Sequence, residues 1–104
     1  MSKTSYQQKQ GQYSIPENLR GLVIKTKYMG ATDYKGARIK ATHLREDGLT
    51  YSKTINKNYD LEPADNALNA AQALLDSWPL AEYNPNMKIV SMGWDHANYY
   101  FVVV

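Results

Sequence analysis

Lys25, Lys27, Arg38 and Lys40 are the residues whose type and spacing come nearest to a chemical task. Within each pair the cations stand two residues apart, which is the period of an extended strand. Both members therefore leave the same side of the chain. If the two segments lie side by side, four cations share one surface and their chemistry is anion recognition. The anion is either the phosphates of a single nucleic-acid strand, with bases stacking on nearby aromatics, or the acidic surface of a protein. In this reading Lys53, beside Tyr51, extends the patch, and Tyr34 is the aromatic expected to stand exposed to a partner. A second anion contact is expected at Thr32 to Lys40. There Lys35, Arg38 and Lys40 supply charge, Gly36 permits a positive φ, and Thr32 and Asp33 can bond backbone N–H groups. The segment lacks the glycine spacing and following helix of a phosphate-binding loop. The same residues would also serve as a plain structural loop leading into a solvated strand.

Catalytic chemistry finds less support. Asp95-His96 has the residue types of an acid–base dyad, but no nucleophile motif accompanies it and it falls where a hairpin turn is expected. His43 reads as a partly buried strand residue. With two histidines and no cysteine, no ligand spacing for a metal is present, and neither a disulfide nor a thiolate nucleophile can form. The expectation is a non-enzymatic binding protein with no cofactor and no metal.

Five strands and one helix are expected to position these residues. Residues 22–28 alternate, with Ile24, Thr26 and Tyr28 on one side and Val23, Lys25 and Lys27 on the other. Residues 37–44 repeat the pattern, with Ile39, Ala41 and His43 opposed to Arg38, Lys40 and Thr42. Arg45-Glu46-Asp47-Gly48 carries the Asp-Gly pair of a hairpin turn, and residues 49–55 return. Asp60 or Glu62 precedes a helix whose Pro63 is tolerated where N–H groups have no intrahelical partner. Over residues 64–77 an apolar stripe is expected at Ala64, Ala67, Leu68, Ala71, Leu74, Leu75 and Trp78. Asp65, Asn66, Asn69, Gln72 and Asp76 would then form the wet side. Pro79 ends it. Asn84-Pro85-Asn86 reads as a turn, and residues 88–94 and 99–104 as the last two strands. The final run is apolar on both faces, as in a strand paired on both sides or covered. Trp78 and Phe101 are core candidates. The result is an α+β fold: two layers, a mostly antiparallel sheet in the order β-β-β-α-β-β, and one helix packed on one face.

The chain has 104 residues and a formal net charge of +2, which hides an asymmetry. Residues 20–57 hold nine basic groups against Asp33, Glu46 and Asp47, a balance of +6. Residues 58–104 hold six acids against Lys88, a balance of −5. Two surfaces of opposite sign are expected. The acids of the helix face, Asp65 and Asp76 with Glu62 before them, are too few to mimic nucleic acid. Residues 1–19, polar and rich in Gln, read as a flexible tail, and residues 20–104 as one domain. No apolar run approaches the roughly 20 residues of a membrane span, and Met1 to Gln12 lacks the apolar core of a secretory signal. No membrane partner and a cytoplasmic location are expected.

Thr26, Lys27, Tyr28, Thr32, Gly36, Arg38, Ile39, Lys40 and Ala41 together form a distinctive run. It resembles a group of small uncharacterised phage, plasmid and integrated-element proteins whose N-terminal segment reads approximately "TK(F/Y)LxxTNxxGSRIKA". Asp33 replaces the common Asn and Ala37 the common Ser. The Ala-rich segment from Ala67 to Trp78 and the final apolar strand are similar to elements of that group, so the likeness covers most of the chain. The resemblance implies a mobile-element origin and adds no catalytic residue. The chain is thus expected to be an accessory protein of a mobile element that acts by binding nucleic acid through its basic sheet face. The alternative is a protein–protein inhibitor or modulator of a host defence or regulatory complex. A third form of partner is a second copy of the chain, joined through the last strand or an exposed sheet edge.

Overall fold

The computed structural model describes residues 14–78 and 86–104. Among these, the strands are β1 (Leu22–Met29), β2 (Arg38–Leu44), β3 (Thr50–Asn56), β4 (Ile89–Trp94) and β5 (Tyr99–Val103). One helix, α1, spans Pro63–Ser77. The sheet runs β3-β2-β1-β5-β4, with every neighbouring pair antiparallel. The helix lies across β2 and β3 and also reaches β1 and β5. This is the expected two-layer α+β architecture, with strand limits within a residue or two of those read from alternation.

Register explains why the pattern folds this way. Thr26 pairs with Ala41 and Tyr28 with Ile39, while Ile24 pairs with Phe101. These residues all leave the sheet toward the helix. Ile24, Ala41, Ala70 and Ala71 are fully buried there with Phe101, Leu74 and Val103. The alanines have no side chain beyond Cβ, so the helix axis comes close to the sheet and the larger groups fill the flanks. Each fully buried Ile, Leu, Val or Phe contributes about 1.5–3 kcal/mol of apolar transfer.

The apolar stripe of the helix differs from the expected one. It runs Ala67, Ala70, Ala71, Leu74, Leu75 and on to Trp78, while Leu68 is 40% exposed. Asn66, expected on the wet side, is 2% exposed. The cause is local. Glu62 occupies the N-cap position without making a side-chain cap bond. Asn66 reaches back instead: its Oδ1 accepts the Asn58 N–H at 2.8 Å, and its Nδ2 donates to the Asn58 carbonyl at 2.9 Å and the Leu61 carbonyl at 3.3 Å. One amide therefore satisfies the backbone of the chain entering the helix. At the far end, Trp78 adopts φ −75° and ψ 129°, the extended form that the following Pro79 imposes.

The connections carry their own polar closure. Gly48 has φ +86° and its N–H donates to the Arg45 carbonyl at 3.0 Å, closing the β2–β3 turn. In the β4–β5 turn, the Asp95 Oδ1 accepts the N–H groups of Ala97 at 2.8 Å and Asn98 at 2.7 Å. A bulge at Val90 shifts the β4–β5 register. A Cβ on Gly21 would collide with the Val103 carbonyl oxygen, so a glycine is needed where β1 begins. Glu17–Leu19 form a single 3₁₀ turn, and the Arg20 Nε donates to the Ile15 carbonyl at 2.6 Å. Of the expected tail, residues 1–13 lie outside the described residues, as do Asn84 and Pro85 of the expected turn. No helix among the described residues is long and apolar enough to cross a membrane.

Candidate basic sheet face

The side of the sheet away from the helix gathers the four alternating cations. Lys27 stands directly opposite Lys40, and Lys25 pairs with Thr42 while Met29 pairs with Arg38. Lys25 is therefore diagonal to Lys40, and Lys27 diagonal to Arg38. Opposed positions place Cβ atoms about 4.5–5.5 Å apart and diagonal ones about 7–8 Å apart. The cations form one continuous zigzag across β1 and β2. Lys25, Lys27 and Lys40 are exposed and Arg38 is half-buried.

The strands themselves carry no carboxylate on this face among the described residues; Asp95, in the β4–β5 turn, reaches its edge at Tyr100. The register fills it with Thr42, Ser52, Thr54 and Asn56 beyond β2, and with Tyr100, Val102, Ser91 and Gly93 beyond β1. The one ion pair among the described residues, Arg45 to Asp47 at 2.9 Å, lies in the β2–β3 turn. The Arg38 Nε is buried without a hydrogen-bond partner, so part of its guanidinium fork is unspent. Like charges directly opposite one another destabilise a sheet, and an unpaired buried donor adds a further cost. The first of these costs falls if an anion settles on the face.

Tyr100 is the aromatic that the face presents. It stands opposite Lys25, and its hydroxyl donates to the Asp95 Oδ2 at 3.1 Å. Asp95 is the acid bordering the face. Its carboxyl lies below the ordinary 3.8, because the Asn98 and Ala97 N–H groups and the Tyr100 hydroxyl favour its charged form, assisted by the nearby His96. Its oxygens are engaged by turn backbone and tyrosine, as in an anchored turn.

Three expected residues lie elsewhere. Lys53 pairs with Ala41 and Tyr51 with His43, so both leave the sheet on the helix side. Lys53 therefore does not extend the patch; it shares a period of two with Leu49, Tyr51 and Ile55. Tyr34 is 94% exposed and Lys35 is exposed beside it, but both belong to the β1–β2 loop rather than to the sheet face. In that loop the Thr32 Oγ1 accepts the N–H of Lys35 at 3.1 Å and of Tyr34 at 3.3 Å, so its hydroxyl serves the loop itself. Gly36 does not use a positive φ; Gly48 alone does among the described glycines. The reading of Thr32 to Lys40 as an anion cradle gives way to the structural one.

The histidines complete the picture. The His43 Nδ1–H donates to the Val23 carbonyl at 2.8 Å, and its ring packs on Trp78 with centroids 4.7 Å apart. It is a buried core group. No cluster of three or more metal-ligating side chains occurs among the described residues. Thr42 and Tyr100 are the face residues that sequence reasoning did not single out. The alternation of residues 99–104 already placed Tyr100 opposite in sense to Tyr99, but which of them met the cations depended on the pairing of β5 with β1. Compared with family models, with curated proteins and with solved structures, the chain matches none.

Proposed function

We propose that this protein is a non-enzymatic binding protein that holds a single strand of nucleic acid across the open face of its sheet, in the cytoplasm and as an accessory of a mobile element. The observation that carries this reading is the zigzag of Lys25, Lys40, Lys27 and Arg38 on a face whose strands carry no carboxylate among the described residues. Phosphates would relieve the repulsion between Lys27 and Lys40 and add an opposite charge beside Arg38. Tyr100, opposite Lys25, offers a ring for a base, and the hydroxyls of Thr42, Ser52 and Thr54 add hydrogen-bonding groups that do not depend on base identity. The cations stand open to solvent across neighbouring strands, where an extended single strand can set down both phosphates and an unpaired base.

The test is fluorescence anisotropy with labelled oligo(dT) and oligo(U) over a range of salt. Four phosphate contacts on a single strand give a slope of log affinity against log salt of roughly −3. Lys27→Gln with Lys40→Gln is expected to halve that slope. Absence of binding to either oligonucleotide at low salt, or an unchanged slope in the double variant, overturns the reading.

One observation favours a protein partner instead. Leu44 is 67% and Val23 49% exposed at the end of the same face, beside the half-buried Val102. An apolar strip next to cations fits an acidic protein surface with a hydrophobic centre, as an inhibitor or modulator of a host complex would use. Leu44→Ser with Val23→Thr would abolish binding to such a partner and leave oligonucleotide affinity within twofold. Edge-to-edge pairing of two copies would use β3 or β4, the edges of the sheet among the described residues, since β5 is paired on both sides.

A further inference from the structure

The helix side of the sheet holds a feature that the basic face does not use. Between the start of α1 and the end of the sheet where β1 finishes lies a cavity of about 250 Å³. Tyr28, Ile39, Pro63, Ala67 and Tyr99 wall it. Three polar side chains at its border, Thr26, Asn66 and Asn98, already have partners. The Thr26 hydroxyl donates to the Tyr99 carbonyl at 3.0 Å, and Asn66 is tied to the Asn58 backbone. Asn98, with its amide oriented to satisfy its neighbours, donates to the Thr26 and Ala97 carbonyls at 3.1 Å. The walls are thus mainly apolar, and Thr26, Asn66 and Asn98 have little hydrogen-bonding capacity left for an occupant. A nucleobase is a poor match for that reason.

Charge enters from Lys57 alone among the lining residues. Its backbone N–H donates to the Ala37 carbonyl at 2.9 Å, which fixes the root of the side chain. Its ammonium stands 4.8 Å from the Tyr59 ring centre and 5.5 Å from that of Tyr28. It has no ion-pair partner among the described residues, although Asp60, Glu62 and Asp65 lie nearby in the chain and are exposed. Two ring faces steer the ammonium at the rim. Dry apolar cavities somewhat smaller than this one hold a benzene-sized guest.

We propose that this cavity binds a small hydrophobic carboxylate, with its ring or short acyl chain between Tyr28, Ala67 and Tyr99 and its carboxylate against Lys57. The experiment is an amide-resolved NMR titration of the full chain with 2-naphthoate and with the neutral 2-naphthalenemethanol. The expected result is saturable shifts at Ile39, Ala67 and Tyr99 with naphthoate, and binding weaker by about tenfold in Lys57→Gln, the loss of one charge-assisted hydrogen bond. Lys57→Arg should retain most of the affinity, and the neutral probe should bind both variants and the parent alike. Shifts that do not saturate, shifts spread away from the cavity, or equal affinity of naphthoate for the parent and Lys57→Gln overturn the proposal. The cavity and the cationic face lie on opposite sides of the sheet, so loss of oligonucleotide binding would leave this result unaffected.

Discussion

The two faces of one sheet are made by the same strands and obey different rules. On the helix side, Ile24, Ala41 and Phe101 are fully buried, and their order along the strands is dictated by the space that a helix of alanines leaves. On the open side, one residue away at each step, Lys25, Lys27 and Lys40 stand in solvent with like charges opposed. The first face is arranged for the stability of the isolated chain. The second is arranged against it, by a small amount, because like charges stand directly opposed there. Charge follows the same division. Four of the six acids of the second half of the chain, Asp60, Glu62, Asp65 and Asp76, sit exposed on the helix and the segment leading into it, on the layer opposite the cation zigzag, while Asp95 borders the open face at Tyr100.

Substitutions along the same strands can break this contrast. The largest effect belongs to the covered face. Phe101→Ala removes a fully buried ring from the centre of the core, and denaturant unfolding should show a loss of about 3–5 kcal/mol. That is a large part of the stability of a domain this size. A loss below 1 kcal/mol would mean the two faces are not energetically distinct. Next comes Asn66→Ala, which removes a buried amide and strips its bonds from the N–H and carbonyl of Asn58. A loss of about 1–3 kcal/mol is expected, with m unchanged.

The open face should respond in the opposite direction. Lys27→Gln removes one of two directly opposed cations, and unfolding at low salt should show a gain of about 0.2–1 kcal/mol that shrinks as salt is added. A loss of stability there would remove the argument that the cations await a ligand. The smallest effect is at the border. Because the Asp95 carboxyl is lowered in the folded state, its contribution is present above the ordinary carboxylate range and is lost as pH falls through its folded value. Asp95→Asn should therefore melt lower than the parent at pH 7, and the gap should close toward pH 3. A gap that widens in acid would contradict the anchoring role of that turn.

Much of this was legible in residue order, and the failures share a cause. Alternation placed Lys25, Lys27, Arg38 and Lys40 on one side of their strands, because the side-chain period of a strand leaves no choice once one face is apolar. Lys53 was misplaced by its type instead: Leu49, Tyr51 and Ile55 share its period of two, so alternation already set it on the apolar side, and its charge outweighed its register until Ile55 paired with Ile39. Asn66 was assigned to water because its type favours water; its burial rests on the backbone of Asn58 coming within reach, a contact eight residues away that no periodicity encodes. The cavity beside Lys57 was not visible at all, since its walls come from three strands, two loops and the helix.

Residue order by itself determined the elements, their sides and the segregation of charge, because these depend on chemistry repeated at fixed local intervals. Only the tertiary structure decided which sides meet. The pairing of β1 with both β2 and β5 brought four cations and a tyrosine onto one surface, and the seat of the helix left a hollow at one end of the sheet. Those outcomes depend on distances between residues far apart in the chain, which packing sets and local pattern does not.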